Sequence, residues 1–166
     1  MSAPSGYSRL QIVLHWTIAA LIVVQLTINS DMQQAFAQRL AGTMPVNSGA
    51  IFHATVGILV LLLATLRVGI RVLRGAPEPP RGNHPLLNLL SHATHLLLYG
   101  FLFLMPITGA LAWFGGIEIA AVLHELGRFV LIPIIFLHVG GAIVEELVLG
   151  NRVVGRMLSS SPSNGK

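Results

Sequence analysis

Four apolar stretches, each about the length a lipid bilayer demands, govern what this 166-residue chain can become. A membrane-crossing helix needs about 20 mostly apolar residues to span the roughly 30 Å hydrocarbon core. Residues 10–28, 50–72, 86–113 and 121–149 meet that condition. Hydrocarbon offers no partner to an open backbone, so each stretch must satisfy its own peptide groups, and an α-helix does so within one segment. Composition agrees: 54% of the chain is hydrophobic and only 10% is charged, against about 25% charged in an ordinary soluble domain. The first stretch is longer than a signal-peptide core and lacks a small-residue cleavage site, so it belongs to the structure. Cysteine is absent, which excludes disulfides, thiolate metal sites, iron–sulfur clusters and C-x-x-C-H haem attachment.

The connections are short. Residues 29–49 form a polar loop with room for a short helical turn. Residues 74–85 (RGAPEPPRGNHP) hold four prolines and cannot continue either neighbouring helix. The third connection, around FGGIEIA, is shorter still. Short links join antiparallel neighbours, so the expected fold is an all-α, integral-membrane four-helix bundle. Residues 1–158 are expected to form one transmembrane domain, followed by a disordered tail over 159–166 (SSSPSNGK).

The net charge of +4 reads as a topology signal rather than a nucleic-acid footprint. Arg9, Arg67, Arg71, Arg74, Arg81, Arg152, Arg156 and Lys166 fall on one side of alternating helices, and only Arg39 and Arg128 on the other. The positive-inside rule then places both termini in the cytoplasm.

Seven histidines are many for so apolar a chain. Ionisable groups within a membrane are costly, and they usually face the bundle interior, where they pair or bind something. His84 lies in the Pro-rich loop and reads as solvated. His15, His92 and His95 lie near the cytoplasmic ends of their spans, and His53 and His124 near the outer ends. His138 follows His124 by 14 residues, which is about 21 Å of helix and close to four whole turns. One helix thus carries two imidazoles on one stripe at two depths. His53 matches the level of His124, and His15 that of His138. Two stacked bis-histidine sites are expected, one in each leaflet.

An apolar slot with two imidazoles suits a b-type haem, whose iron takes two axial nitrogens. Zinc prefers four ligands. Small residues beside the histidines (Ala19, Gly57, Gly140 and Gly141) leave room for a flat macrocycle, although small residues in membrane helices also serve helix packing. The main rival is a haem-free proton or metal transporter, since histidine and acidic chains also line ion pathways.

The segment YSRLQIVLHW (7–16) closely resembles the opening of bacterial cytochrome b561. HATVGILVLLLATLRVGIRV (53–72), SHATHLLLYGFLFLMPITGAL (91–111) and LHELGRFVLIPIIFLHVGGAI (123–143) resemble its second, third and fourth spans, so the likeness covers about four-fifths of the chain. The resemblance implies a bacterial inner-membrane protein with two haem b groups that exchanges electrons with ubiquinone or menaquinone. The helical arrangement is similar to the cytochrome b subunits of formate dehydrogenases and nickel–iron hydrogenases, so a subunit serving a larger complex is the alternative role. In that wider pattern the cytoplasmic-side haem iron takes His15 and His138, and the outer haem iron takes His53 and His124. One branch of the family is a superoxide oxidase acting on ubiquinone. This chain departs from it in a short connection before the fourth span and in the leucine preceding His124, so the electron donor stays open, with superoxide one candidate.

The remaining polar residues have competing roles. His92 and His95, three apart on one helix, are candidates for hydrogen bonds to a quinone or a haem propionate, and either could replace an axial ligand. Arg67 follows His53 by 14 residues and is a candidate propionate partner, or a snorkelling arginine. Arg128, one turn after His124, is a candidate for the outer propionate or for pairing with Glu125. Glu145 is expected to pair with Arg9 or Arg152, or to relay a proton to quinone. Pro133 is expected to kink the fourth helix. Tyr7, Trp16 and Trp113 read as interfacial anchors. The expected partners are a quinone, membrane lipid and an unidentified redox protein, with no nucleic acid.

Overall fold

The computed structural model describes residues 6–28, 32–43, 48–79 and 83–160. Among these the chain is entirely helical: α1 (Arg9–Thr27), α2 (Met32–Leu40), α3 (Ser48–Arg74), α4 (Pro85–Gly115), α5 (Glu118–Leu147) and α6 (Gly155–Leu158). Helices α1, α3, α4 and α5 are long and apolar enough to cross a membrane. Arg81, Lys166 and tail residues 161–166 lie outside the described residues.

Side chains that bridge elements fix the up-and-down order. At one end Gln11 of α1 donates to the Gly75 carbonyl just past α3, at 3.1 Å. Trp16 Nε1 donates to the Met157 carbonyl of α6 at 2.8 Å, and Asn83 donates to Glu145 near the end of α5 at 2.7 Å. Arg9, Arg71, Arg74, Arg152 and Arg156 gather at this end, here the basic end. At the opposite end Gln25 of α1 donates to the His53 carbonyl at 2.9 Å, and Gln33 of α2 donates to Glu125 of α5 at 2.7 Å.

Local chemistry sets the helix limits. Ser8 and Gln11 form a reciprocal capping box at the start of α1. Pro85 occupies the first turn of α4, where its missing N–H is no loss. His84 is exposed, as expected, and its Nδ1 also accepts the Leu86 N–H at 3.3 Å and caps α4, a donor that the helix itself leaves orphaned. Between α4 and α5 only Gly116 and Ile117 are non-helical. Gly116 turns the chain at φ 65°, a left-handed conformation that costs other residues a Cβ clash. Residues 29–49 hold more than a turn: α2 runs nine residues and buries Ala35 against the bundle.

Packing runs in series. α1 lies on α3, α3 on α4 and α4 most extensively on α5. α1 has no comparable seam with α4 or α5. At Gly127 of α5 an added Cβ would fall 2.6 Å from Met105 Sδ of α4. Pro106 and Pro133 both sit inside helices assigned without interruption. Buried positions are mostly small or medium (Ala50, Ala64, Ala112, Val60), and no large side chain among the described residues is fully buried. Close-packed interiors have few voids, and this bundle departs from that rule along its axis.

Candidate functional site

The space that side chains do not fill is a continuous cleft of about 1800 Å³. Single small-molecule pockets run to roughly 300–1,000 Å³, so the cleft exceeds the room one such ligand takes. His15, His53, His92, His95, His124 and His138 all line it, as do Arg67, Arg128, Tyr7, Trp16 and Trp113.

Two pairs of histidines face each other across the cleft. The His15 and His138 ring centres lie 6.2 Å apart with planes at 75°. The His53 and His124 centres lie 6.1 Å apart with planes at 78°. Two imidazoles sharing one metal through bonds of about 2 Å, with about 1 Å more from each nitrogen to its ring centre, have centres about 6 Å apart. Both pairs therefore have the separation at which two imidazoles would hold one haem iron. His95 meets His138 edge-on at 5.0 Å, shorter than the separation of about 6 Å that two rings on opposite sides of one metal need. Among the described residues no three His, Asp or Glu groups gather as a closed metal cage would need.

The surroundings of the two levels differ. At the level of His15 and His138, Arg67 and His95 both lie within electrostatic reach. Arg67 already donates to the Gln11 carbonyl at 2.9 Å, so it ties α3 to α1 while keeping further guanidinium donors. Arg71 lies over the Tyr99 ring at 5.7 Å. His92 and His95 each pair Nδ1 with the carbonyl four residues back, Asn88 and Ser91, both at 2.7 Å. A carbonyl only accepts, so Nδ1 carries the proton in both rings and Nε2 is left with a lone pair.

At the other level, His124 Nδ1 donates to the Met105 carbonyl at 2.8 Å and stands 3.3 Å from the Thr108 hydroxyl. His53 Nδ1 and Gln25 Oε1 are buried without a partner at hydrogen-bonding geometry among the described residues. Arg128 stacks over its neighbour Phe129 at 5.0 Å and lies within electrostatic reach of His124. Glu125 is engaged by Gln33 of α2. The small residues are unequal in use. A Cβ on Gly140 or Gly141 would meet nothing within 4 Å, whereas one on Gly57 would meet Gln25 Nε2 at 3.2 Å.

Glu145, near the end of α5, takes neutral partners, Asn83 and Asn151, rather than the expected Arg9 or Arg152, and its neighbour Glu146 accepts the backbone N–H of Val154 at 2.8 Å. Asn83, Asn151, Gln11, Gln25, Thr108 and Gly109 carry no signal in the sequence, because each acquires its role from a partner on another element.

The model of the family described as prokaryotic cytochrome b561 matches residues 6–160. Cytochrome b562 of Cereibacter sphaeroides is 33% identical over 158 residues, spanning 95% of this chain and 98% of that protein.

Proposed function

This chain belongs to the prokaryotic cytochrome b561 family, a haem b membrane cytochrome of electron transfer, and from that premise we propose that it holds two haem b groups and passes electrons between a donor and the membrane quinone pool. The observation that carries the reading is the pair of matched histidine clamps, with ring centres 6.2 and 6.1 Å apart, set 14 residues apart along α5. The proposed axial ligands are His15 and His138 at the basic end, and His53 and His124 at the opposite end. Each haem supplies a one-electron carrier when bound, and the protein supplies position and electrostatics.

The chain's own residues divide the remaining work. The apolar walls of α1, α3, α4 and α5 exclude water from both clamps. Arg67 and Arg128 offer guanidinium donors to propionate carboxylates, one at each level. His92 and His95 present Nε2 lone pairs, and a lone pair accepts the hydroxyl hydrogen of a quinol. They are the proposed quinone contacts, at the end where arginines concentrate. By the positive-inside rule that end lies in the cytoplasm of a bacterial inner membrane, which puts protons for quinone chemistry within reach.

The test is to purify the chain with its haem and compare His15→Ala with His53→Ala. The expected result is that each variant loses one haem, with distinct changes in the reduced α-band, and that quinol or superoxide reduces the parent protein. Retention of both haems in either variant overturns the ligand assignment. A preparation with no Soret band when haem is supplied overturns the reading itself.

A further inference from the structure

His124 is held differently from the other three axial candidates, and the difference lies in one turn of α4. Its Nδ1–H donates to the Met105 carbonyl at 2.8 Å. The Thr108 oxygen stands 3.3 Å from the same nitrogen. Thr108 spends its single hydroxyl proton on the carbonyls behind it, Leu104 at 2.7 Å or Met105 at 3.1 Å, so its lone pairs are free to share the imidazole proton. Thr108 is 6% exposed, and water does not compete for that contact.

The next residue provides the space. A Cβ on Gly109 would lie 3.0 Å from His124 Cε1 and 3.1 Å from Nδ1. Both separations are tighter than ordinary van der Waals contact, so a side chain there would push the ring off its acceptors. A glycine inside a helix weakens the helix, and here the missing side chain is occupied by a ligand ring from the neighbouring helix.

We infer that the α4 turn from Met105 to Gly109 is the positioning element for His124, and that it sets the properties of one haem apart from the other. This rests on His124 being an axial ligand. Fixing the proton on Nδ1 commits Nε2 to the cleft. Sharing that proton with two oxygens raises the basicity of the ring, and a more basic ligand favours the oxidised metal. His53, the facing ring, has the Ile28 backbone nearby, but among the described residues its Nδ1 makes no hydrogen bond of good geometry, to a threonine or to any other partner. Among the described residues neither His15 nor His138 has a hydrogen bond to its ring nitrogens, so the supported imidazole is specific to the outer haem. Thr108 and Gly109 are therefore positioning residues, acting on the redox centre through His124.

The experiment uses the full-length, haem-loaded chain in detergent and compares Thr108→Val, Thr108→Ser, Gly109→Ala and His124→Ala. Haem stoichiometry, low-spin electron paramagnetic resonance signals and the two midpoint potentials are read for each. Thr108→Val should keep both haems and move one midpoint potential upward while the other stays put, and Thr108→Ser should restore the parent value. Gly109→Ala should perturb one low-spin signal and weaken retention of that haem about tenfold, as loss of an outer partner does at other metal–histidine sites. Loss of one haem in His124→Ala, together with unchanged potentials and signals in both Thr108→Val and Gly109→Ala, overturns this inference alone. A shift shared equally by both haems in Thr108→Val also overturns it, because it marks a general loosening of the bundle. Retention of both haems in His124→Ala overturns the axial assignment beneath it.

Discussion

Gln11 shows how one polar side chain closes an end of an apolar bundle. It is 7% exposed, it caps α1 with Ser8, and its amide reaches the carbonyl that ends α3. Its own carbonyl receives Arg67. Buried polar groups left unpaired cost about 1–3 kcal/mol. Gln11→Leu should therefore lower stability by about that amount, read as a drop in thermal midpoint of the detergent-solubilised protein, while haem content holds. The residues that sequence made visible are those whose type is costly in hydrocarbon: six histidines and Arg67 stand out because they fall within stretches long and apolar enough to span a bilayer. Gln11, Thr108 and Gly109 stay hidden because such residues occur in any membrane helix, and only a second helix gives them a task. Glu145 was misread for the same reason, and the capping role of the exposed His84 went unseen. The cap at Leu86 and the amides of Asn83 and Asn151 are properties of the folded chain.

Elements were legible where hydropathy and helix coincide and less so where they part. All four spans stand where the apolar runs place them, since hydrocarbon leaves the backbone few alternatives. Helices α3 and α4 overshoot their runs at both ends, however, and α5 starts before its run. α4 reaches Gly115 and α5 begins at Glu118, so a link that reads as several residues shrinks to two. Hydropathy marks where lipid is, while the helix continues until Gly116 turns it. Gly116→Ala places a Cβ in a left-handed turn at a cost of roughly 1–2 kcal/mol. The α4–α5 hairpin should become less stable by that much, with a lower thermal midpoint and unchanged helical content at low temperature. α2 was legible only as a short turn because it is brief and mixed in polarity. Arg39 pins it to the bundle over the Trp113 ring at 5.5 Å. Arg39→Ala should speed proteolytic cutting around α2 without altering haem spectra, and an unchanged cutting rate would show that α2 is held by other contacts.

At the scale of the whole molecule, two expectations follow from charge and from packing. The basic end carries Arg9, Arg71, Arg74, Arg152 and Arg156, so a reporter fused after residue 160 should be active in the cytoplasm, and one inserted after Gly42 should be active on the other side. The reverse pattern would invert the proposed orientation and move the quinone contacts to the outer face. Packing gives the second expectation. The bundle axis holds a cleft of about 1800 Å³ and no fully buried large side chain among the described residues. A group that binds only the folded form stabilises it in proportion to the logarithm of its excess over Kd. Removing haem should therefore lower the thermal midpoint by far more than any single substitution above, and restoring haem should recover it.

Helix α1 has one extensive seam, against α3, and across the cleft its His15 ring faces His138 of α5. On the two-haem reading, α1 is sealed on its far side only when the wedge between it and α5 arrives from outside the polypeptide. A cell short of iron porphyrin would accumulate half-shut molecules in its membrane, and pigment supply rather than helix formation would set how fast working copies appear.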